Sequence, residues 1–96
     1  MYNDCMAFEW DERKRRINVK KHGIDFIDVP EMFDDDVIII PDERFDYGEH
    51  RYIGIGLIKG RVVVVAYTER GDNIRIISVR KATKNEQNYY FQKISD

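Results

Sequence analysis

The chain has little of what usually announces a chemistry. One cysteine, Cys5, among 96 residues allows no internal disulfide, so a reducing, cytoplasmic setting is expected. The two histidines, His22 and His50, lie far apart, and no CxxC or HExxH spacing is present, so neither a metal site nor a cofactor is expected. No apolar run approaches the roughly eighteen residues of a membrane span, and no secretory leader is visible, so no membrane partner is expected. The acidic triplet Asp34, Asp35 and Asp36 lacks calcium-loop spacing and reads as a solvated turn. Gly54 and Gly56 fall inside a strand pattern, where they permit close packing or a bulge, and they form no phosphate loop. Two prolines against six Tyr, five Phe and one Trp leave no disordered composition.

What remains is one small domain spanning 1–96, with residues 1–5 as a ragged extension and Met6 as a possible start. Its net charge of −2 hides a segregation. Residues 1–24 carry six Lys/Arg against four acids, residues 25–49 carry Arg44 against ten, and residues 50–96 carry nine against four. No global field attracts nucleic acid, but a basic surface forms if the two ends of the chain meet. Such charge blocks are equally often plain solvated faces.

The pattern predicts an α+β fold. "MAFEW" alternates like a strand, with Met6, Phe8 and Trp10 on one side. "DERKRRINVKKHG" reads as a helix capped by Asp11 and closed by Gly23, lying across the surface because Ile17 and Val19 are nearly its only apolar residues. A second, short helix begins at Asp25, with Pro30 in its first turn. A brief strand ends at Pro41. Then "RYIGIGLI", "RVVVVAYT" and "NIRIISVR" form an antiparallel meander whose Val-rich middle run is the central strand. Thr83 and Glu86 make a capping box that opens a C-terminal helix, with Tyr90, Phe91 and Ile94 expected to pack on the sheet.

The stretch "RIISVRKATKNE" mounts cations on a strand that is otherwise buried. Strict alternation would send Arg75 and Arg80 to opposite faces unless a bulge intervenes. Arg80 stands before a helix N-terminus, where it either helps bind an anion or pairs with a local carboxylate. On the first helix Lys14, Asn18 and Lys21 share one stripe, with His22 beside its end. That stripe suits a phosphate backbone, or it is a solvated face whose cations complement the helix dipole.

The residues Phe8, Glu9, Trp10, Asp11, Lys14, Asn18, Lys21, His22, Gly23 and Phe26, with "VVAYTERGDNIRIISVRKATKNE" and Tyr90, resemble BrnT-type toxins over residues 6–92. The resemblance implies a fold like RelE ribonucleases and a metal-independent endoribonuclease that inhibits translation. It also implies a BrnA-like ribbon-helix-helix antitoxin as partner, with operator DNA reached only through that antitoxin. Pro30 stands where a helix former is usual, and Gln87 and Asn88 replace positions that are often basic. The expected chemistry is attack of a ribose 2′-OH on the adjacent phosphate, giving a 2′,3′-cyclic phosphate. In it Arg70 and Arg80 clamp phosphate, His22 is the best acid/base by chemistry, and Lys21 and Tyr90 are weaker ones. Histidine at a helix end also commonly just bonds a carbonyl, and Tyr90 has an equally plain reading as a core residue. Arg75, Lys81 and Lys84, with Lys14 and Asn18, complete the expected RNA-binding set. The acidic segment 34–49 is expected to stay outside the RNA site. The alternative is a non-catalytic binding module that acts with its antitoxin as a transcriptional corepressor.

Overall fold

A computed structural model describes residues 7–95, so Cys5, Met6 and the N-terminal extension lie outside the described residues. The elements are β1 (Ala7–Trp10), α1 (Glu12–His22), a 3-10 turn (Phe26–Asp28), α2 (Val29–Phe33), β2 (Ile38–Pro41), β3 (Arg51–Ile58), β4 (Arg61–Arg70), β5 (Asn73–Lys81) and α3 (Lys84–Ile94). They build one five-stranded mixed sheet in the order β1-β5-β4-β3-β2. β1 runs parallel to β5, and every other pair is antiparallel. The Val-rich β4 is central, as its sequence predicts. No helix among the described residues is long and apolar enough to cross a membrane.

One face of the sheet holds the larger core. Val63, Val65, Tyr67, Ile74, Ile76 and Val79 pack there against Phe26, Val29, Met32 and Phe33 from the turn and α2. Close approach of α2 explains the glycines of β3: a Cβ on Gly56 would overlap the Met32 side chain, and one on Gly54 would lie 3.1 Å from Met32 Cε. The other face is thinner. Ile55, Val62, Val64 and Ala82 pack around Tyr90 of α3. Phe91 and Ile94 do not join them; they are 50% and 36% exposed. Phe91 lies roughly 100° around the helix from Tyr90, so one row cannot bury both, and Ile94 sits in the last turn.

Helix α1 lies on the surface as its composition predicts, with Ile17 exposed. Its ends are set locally. The Asp11 side chain accepts from the Lys14 N–H, and Gly23 takes φ 72°, donating to the Val19 carbonyl. What fixes it to the sheet is polar. β1 stops opposite Ile76, so Val79 has no strand neighbour on that side. The buried Asn18 fills the place: its Nδ2 donates to the Val79 carbonyl at 2.8 Å and the Ile24 carbonyl at 3.0 Å, and the Val79 N–H donates to its Oδ1 at 3.2 Å. One carboxamide thus continues the sheet where the backbone partner ends.

Candidate functional site

The site begins with an irregularity in β5. Tyr67 pairs with Ile76 and Ala66 with Ser78, leaving Ile77 as an extra residue. Past this bulge the alternation changes phase. Arg75, opposite Thr68, and Arg80, opposite Val64, therefore share the face that carries α3. The two cations that simple alternation would separate end up on one side, roughly 15 Å apart along the strand.

Arg80 meets Glu86 there. Its Nη1 and Nη2 donate to the two carboxylate oxygens at 2.8 and 2.9 Å, and Nη1 also donates to the Lys81 carbonyl at 3.2 Å. Glu86 is simultaneously the capping-box residue of α3, accepting from the Thr83 N–H at 2.8 Å while its own N–H donates to Thr83 Oγ1. The guanidinium beside it, helped by the Thr83 N–H, holds the Glu86 carboxyl down at about 2. The same bond raises Arg80 above the ordinary arginine value. Of the two readings of Arg80, the local carboxylate is present. It does not exhaust the fork: among the described residues three of the five donors are engaged, which leaves Nε–H and one Nη2–H on the side edge.

The pair lines a cleft of about 410 Å³ with Ile40, Arg44, Ile53 and Ser78. Asp42 and Glu43 line it too, so the acidic segment expected to stay apart borders the cleft. Asp42 is buried because Arg44 binds it at 2.8 and 3.0 Å and the Tyr47 hydroxyl donates to it at 3.1 Å. Arg44, above all, holds this carboxyl far below the usual carboxylate range. The loop thereby brings an arginine as well as acids to the cleft.

A second groove, of about 190 Å³, runs between α1 and the bulge, lined by Lys14, Ile17, Asn18, Lys21, His22, Ile77 and Ser78. Lys14 and Lys21 are exposed and His22 is half-buried. Ser78 lines both depressions, so the cationic helix and the arginine cleft are neighbours across one residue. The two basic ends of the chain do meet.

Asn18 borders this groove, but its carboxamide is fully engaged by backbone, so it acts as a clamp. Tyr90 is fully buried, its hydroxyl donating to the Asp36 carbonyl at 2.8 Å, and burial raises its pKa. It fastens α3 to the segment before β2 and presents no face to a substrate. Arg70 pairs with Asn73 at the opposite end of β4 and β5. Six residues of β4 separate it from the position opposite Arg80, roughly 20 Å, so the two arginines cannot clamp one phosphate. Arg75 lies 3.9 Å from Glu9 on β1. Lys81 and Lys84 are exposed around the start of α3. Ser78, Arg44 and the Glu86 carboxylate are the cleft groups that sequence reasoning missed. Glu86 carried a signal in its capping box six residues after Arg80; Ser78 carried none beyond being polar in an apolar run. Among the described residues no three His, Cys, Asp or Glu side chains gather as a metal would require.

One small α+β domain thus sets a groove of two lysines and a histidine beside an arginine-bearing cleft. Residues 10–86 match the family described as ribonuclease toxin, BrnT, of type II toxin-antitoxin system, and the chain belongs to that family. Membership makes it a type II toxin with ribonuclease activity, acting on RNA and partnered by a protein antitoxin. Among curated proteins nothing matches the chain.

Proposed function

We propose that this toxin is an endoribonuclease that needs no metal ion and stops translation by cutting RNA. The observation that carries the reading is the adjacency of the Lys14–Lys21–His22 groove and the Arg80 cleft across Ser78. An RNA strand crossing this junction meets lysines for its flanking phosphates and the free side edge of the Arg80 fork for the reacting one. The ribose 2′-OH gives its proton to His22 as its oxygen bonds to phosphorus. The bond to the 5′-oxygen of the next nucleotide breaks, and that oxygen leaves with a proton, for which Lys21 is the candidate donor. Products are a 2′,3′-cyclic phosphate and a 5′-OH. Arg80, held in orientation by Glu86, stabilises the extra negative charge of the transition state. Arg75, Lys81 and Lys84 extend the RNA-binding surface, and Arg70 touches RNA only at a distance from the reacting phosphate. We read the fold as RelE-like, the antitoxin as a BrnA-like ribbon-helix-helix protein, and operator DNA as bound through that antitoxin alone.

The Glu86 pairing favours one second reading. If Arg80 never turns toward phosphate, the chain is a binding module that acts with its antitoxin as a corepressor. Incubating purified protein with RNA in EDTA separates the two. Cleavage with cyclic-phosphate ends supports the enzyme, whereas strict dependence on added Mg²⁺ or Zn²⁺ sinks the metal-free mechanism. No cleavage under either condition favours the corepressor.

A further inference from the structure

The edge strand β2 has a composition that edge strands usually avoid. Ile38, Ile39 and Ile40 follow one another, Ile39 and Ile40 are each 38% exposed, and no lysine interrupts them. An exposed apolar edge of this kind is a pairing site for another chain unless something blocks it. The phase of its hydrogen bonds follows from one contact. The Asp42 N–H donates to the Arg51 carbonyl at 2.8 Å, so Asp42 and Arg51 form a hydrogen-bonded pair. Counting back along the antiparallel ladder, Ile40 and Ile38 also turn their backbone groups toward β3. Ile39 and Pro41 therefore turn theirs outward. Pro41 has no N–H, so the outward groups of β2 are the Ile39 N–H and C=O and the Pro41 C=O.

Charge selects the occupant. Between residues 34 and 49 stand seven acids and one arginine, with Asp34 to Asp36 before β2 and Asp42 and Glu43 after it. RNA is repelled by this edge. A second copy of the chain, paired antiparallel about Ile39, would set Asp35 against Glu43 and Asp36 against the Asp42–Arg44 pair, with Asp34 against Arg44 as its one opposite-charge match. An extended peptide with cations flanking a short apolar core satisfies both the backbone and the charge.

We propose that β2 is the docking edge for an extended, cation-flanked segment of the protein antitoxin, which adds a sixth strand alongside Ile39. This rests on the toxin–antitoxin part of the proposed function and not on its RNA chemistry. Beyond Pro41 the same track leads to the Arg80 cleft, which Ile40, Asp42 and Arg44 line. A strand seated on β2 thus places its continuation over the arginine without itself resembling RNA.

Amide exchange measured on the full toxin, alone and with its cognate antitoxin, tests this directly. The Ile39 amide slows at least tenfold in the complex, while the inward amides of Ile38 and Ile40 change little. Ile39→Pro, which deletes the single outward N–H of the strand, weakens antitoxin binding at least tenfold, and Ile39→Val stays within about twofold of the parent. An unchanged Ile39 amide in the complex overturns the proposal, as does Ile39→Pro binding like the parent. Slowing produced by RNA alone, or by raising toxin concentration without antitoxin, overturns it as well. If Ile39→Pro fails to fold, the exchange measurement on the unmodified toxin decides. No arm depends on RNA cleavage, so an inactive enzyme and a wrong docking edge give different results.

Discussion

Replacing Asn18 by alanine separates a structural clamp from an RNA ligand. The substitution removes three hydrogen bonds and leaves the Val79 N–H, the Val79 carbonyl and the Ile24 carbonyl without partners. A buried polar group stripped of its partner costs about 1–3 kcal/mol. Because α1 lies on the surface, water reaches part of the vacated space, and the low end of that range applies to each group. The expected loss is about 3–4 kcal/mol, a large fraction of the roughly 5–15 kcal/mol that holds a domain together. With a urea slope near 1 kcal/mol per molar for a chain of this size, the unfolding midpoint falls by about 3 M. Amide exchange gives a second reading: the Val79 amide should exchange only with global unfolding in the parent and far faster in the variant. Asn18→Asp keeps the acceptor for the Val79 N–H but loses both donations, so it is destabilised too. A midpoint shift equivalent to less than about 1 kcal/mol, together with lost RNA cleavage, would refute the clamp and return Asn18 to the RNA surface.

Arg80→Ala should lower RNA cleavage by about 10²–10³, with the fold intact by circular dichroism, as removal of one transition-state donor does; a fully toxic variant removes Arg80 from the site. Arg70→Ala, roughly 20 Å away, should keep the cleavage rate at saturating RNA, and a loss matching that of Arg80→Ala would contradict the separation. The Glu86 carboxyl is lowered from 4.5 to about 2, so its contribution is complete above pH 4.5 and lost as pH falls toward 2. With the Arg80 and Glu86 side chains 42% and 29% exposed, screening reduces it to about 1 kcal/mol. Urea titrations at pH 6 and pH 3 should show Glu86→Gln losing that part of the pH dependence, and identical dependence in parent and variant would count against the pair. Gly56→Ala drives a methyl into Met32 and should cost about 1–3 kcal/mol in urea unfolding; a neutral result means α2 can move away.

Local chemistry was legible in the sequence because its causes lie within a few residues. Asp11 and Gly23 bound α1, Thr83 and Glu86 open α3, and the Val run marks β4 as the strand buried on both faces. The cationic stripe of Lys14, Lys21 and His22 was equally visible, since helical spacing alone lines it up. Tertiary structure decided the rest. Which face carries Arg80 depends on a bulge at Ile77, and an inserted residue leaves no mark in an apolar run. Asn18 looked like a surface polar residue because the gap it fills, beside Val79 and 61 residues away in the chain, is created by β1 ending opposite Ile76. The pairing of Arg80 with Glu86 and the approach of the acidic loop to the same cleft depend on how α3 and the β2–β3 connection fold over the sheet. Spacing along a chain reports which residues share an element. Which elements share a site is set by packing, and packing is where the ionic partners of this site were chosen.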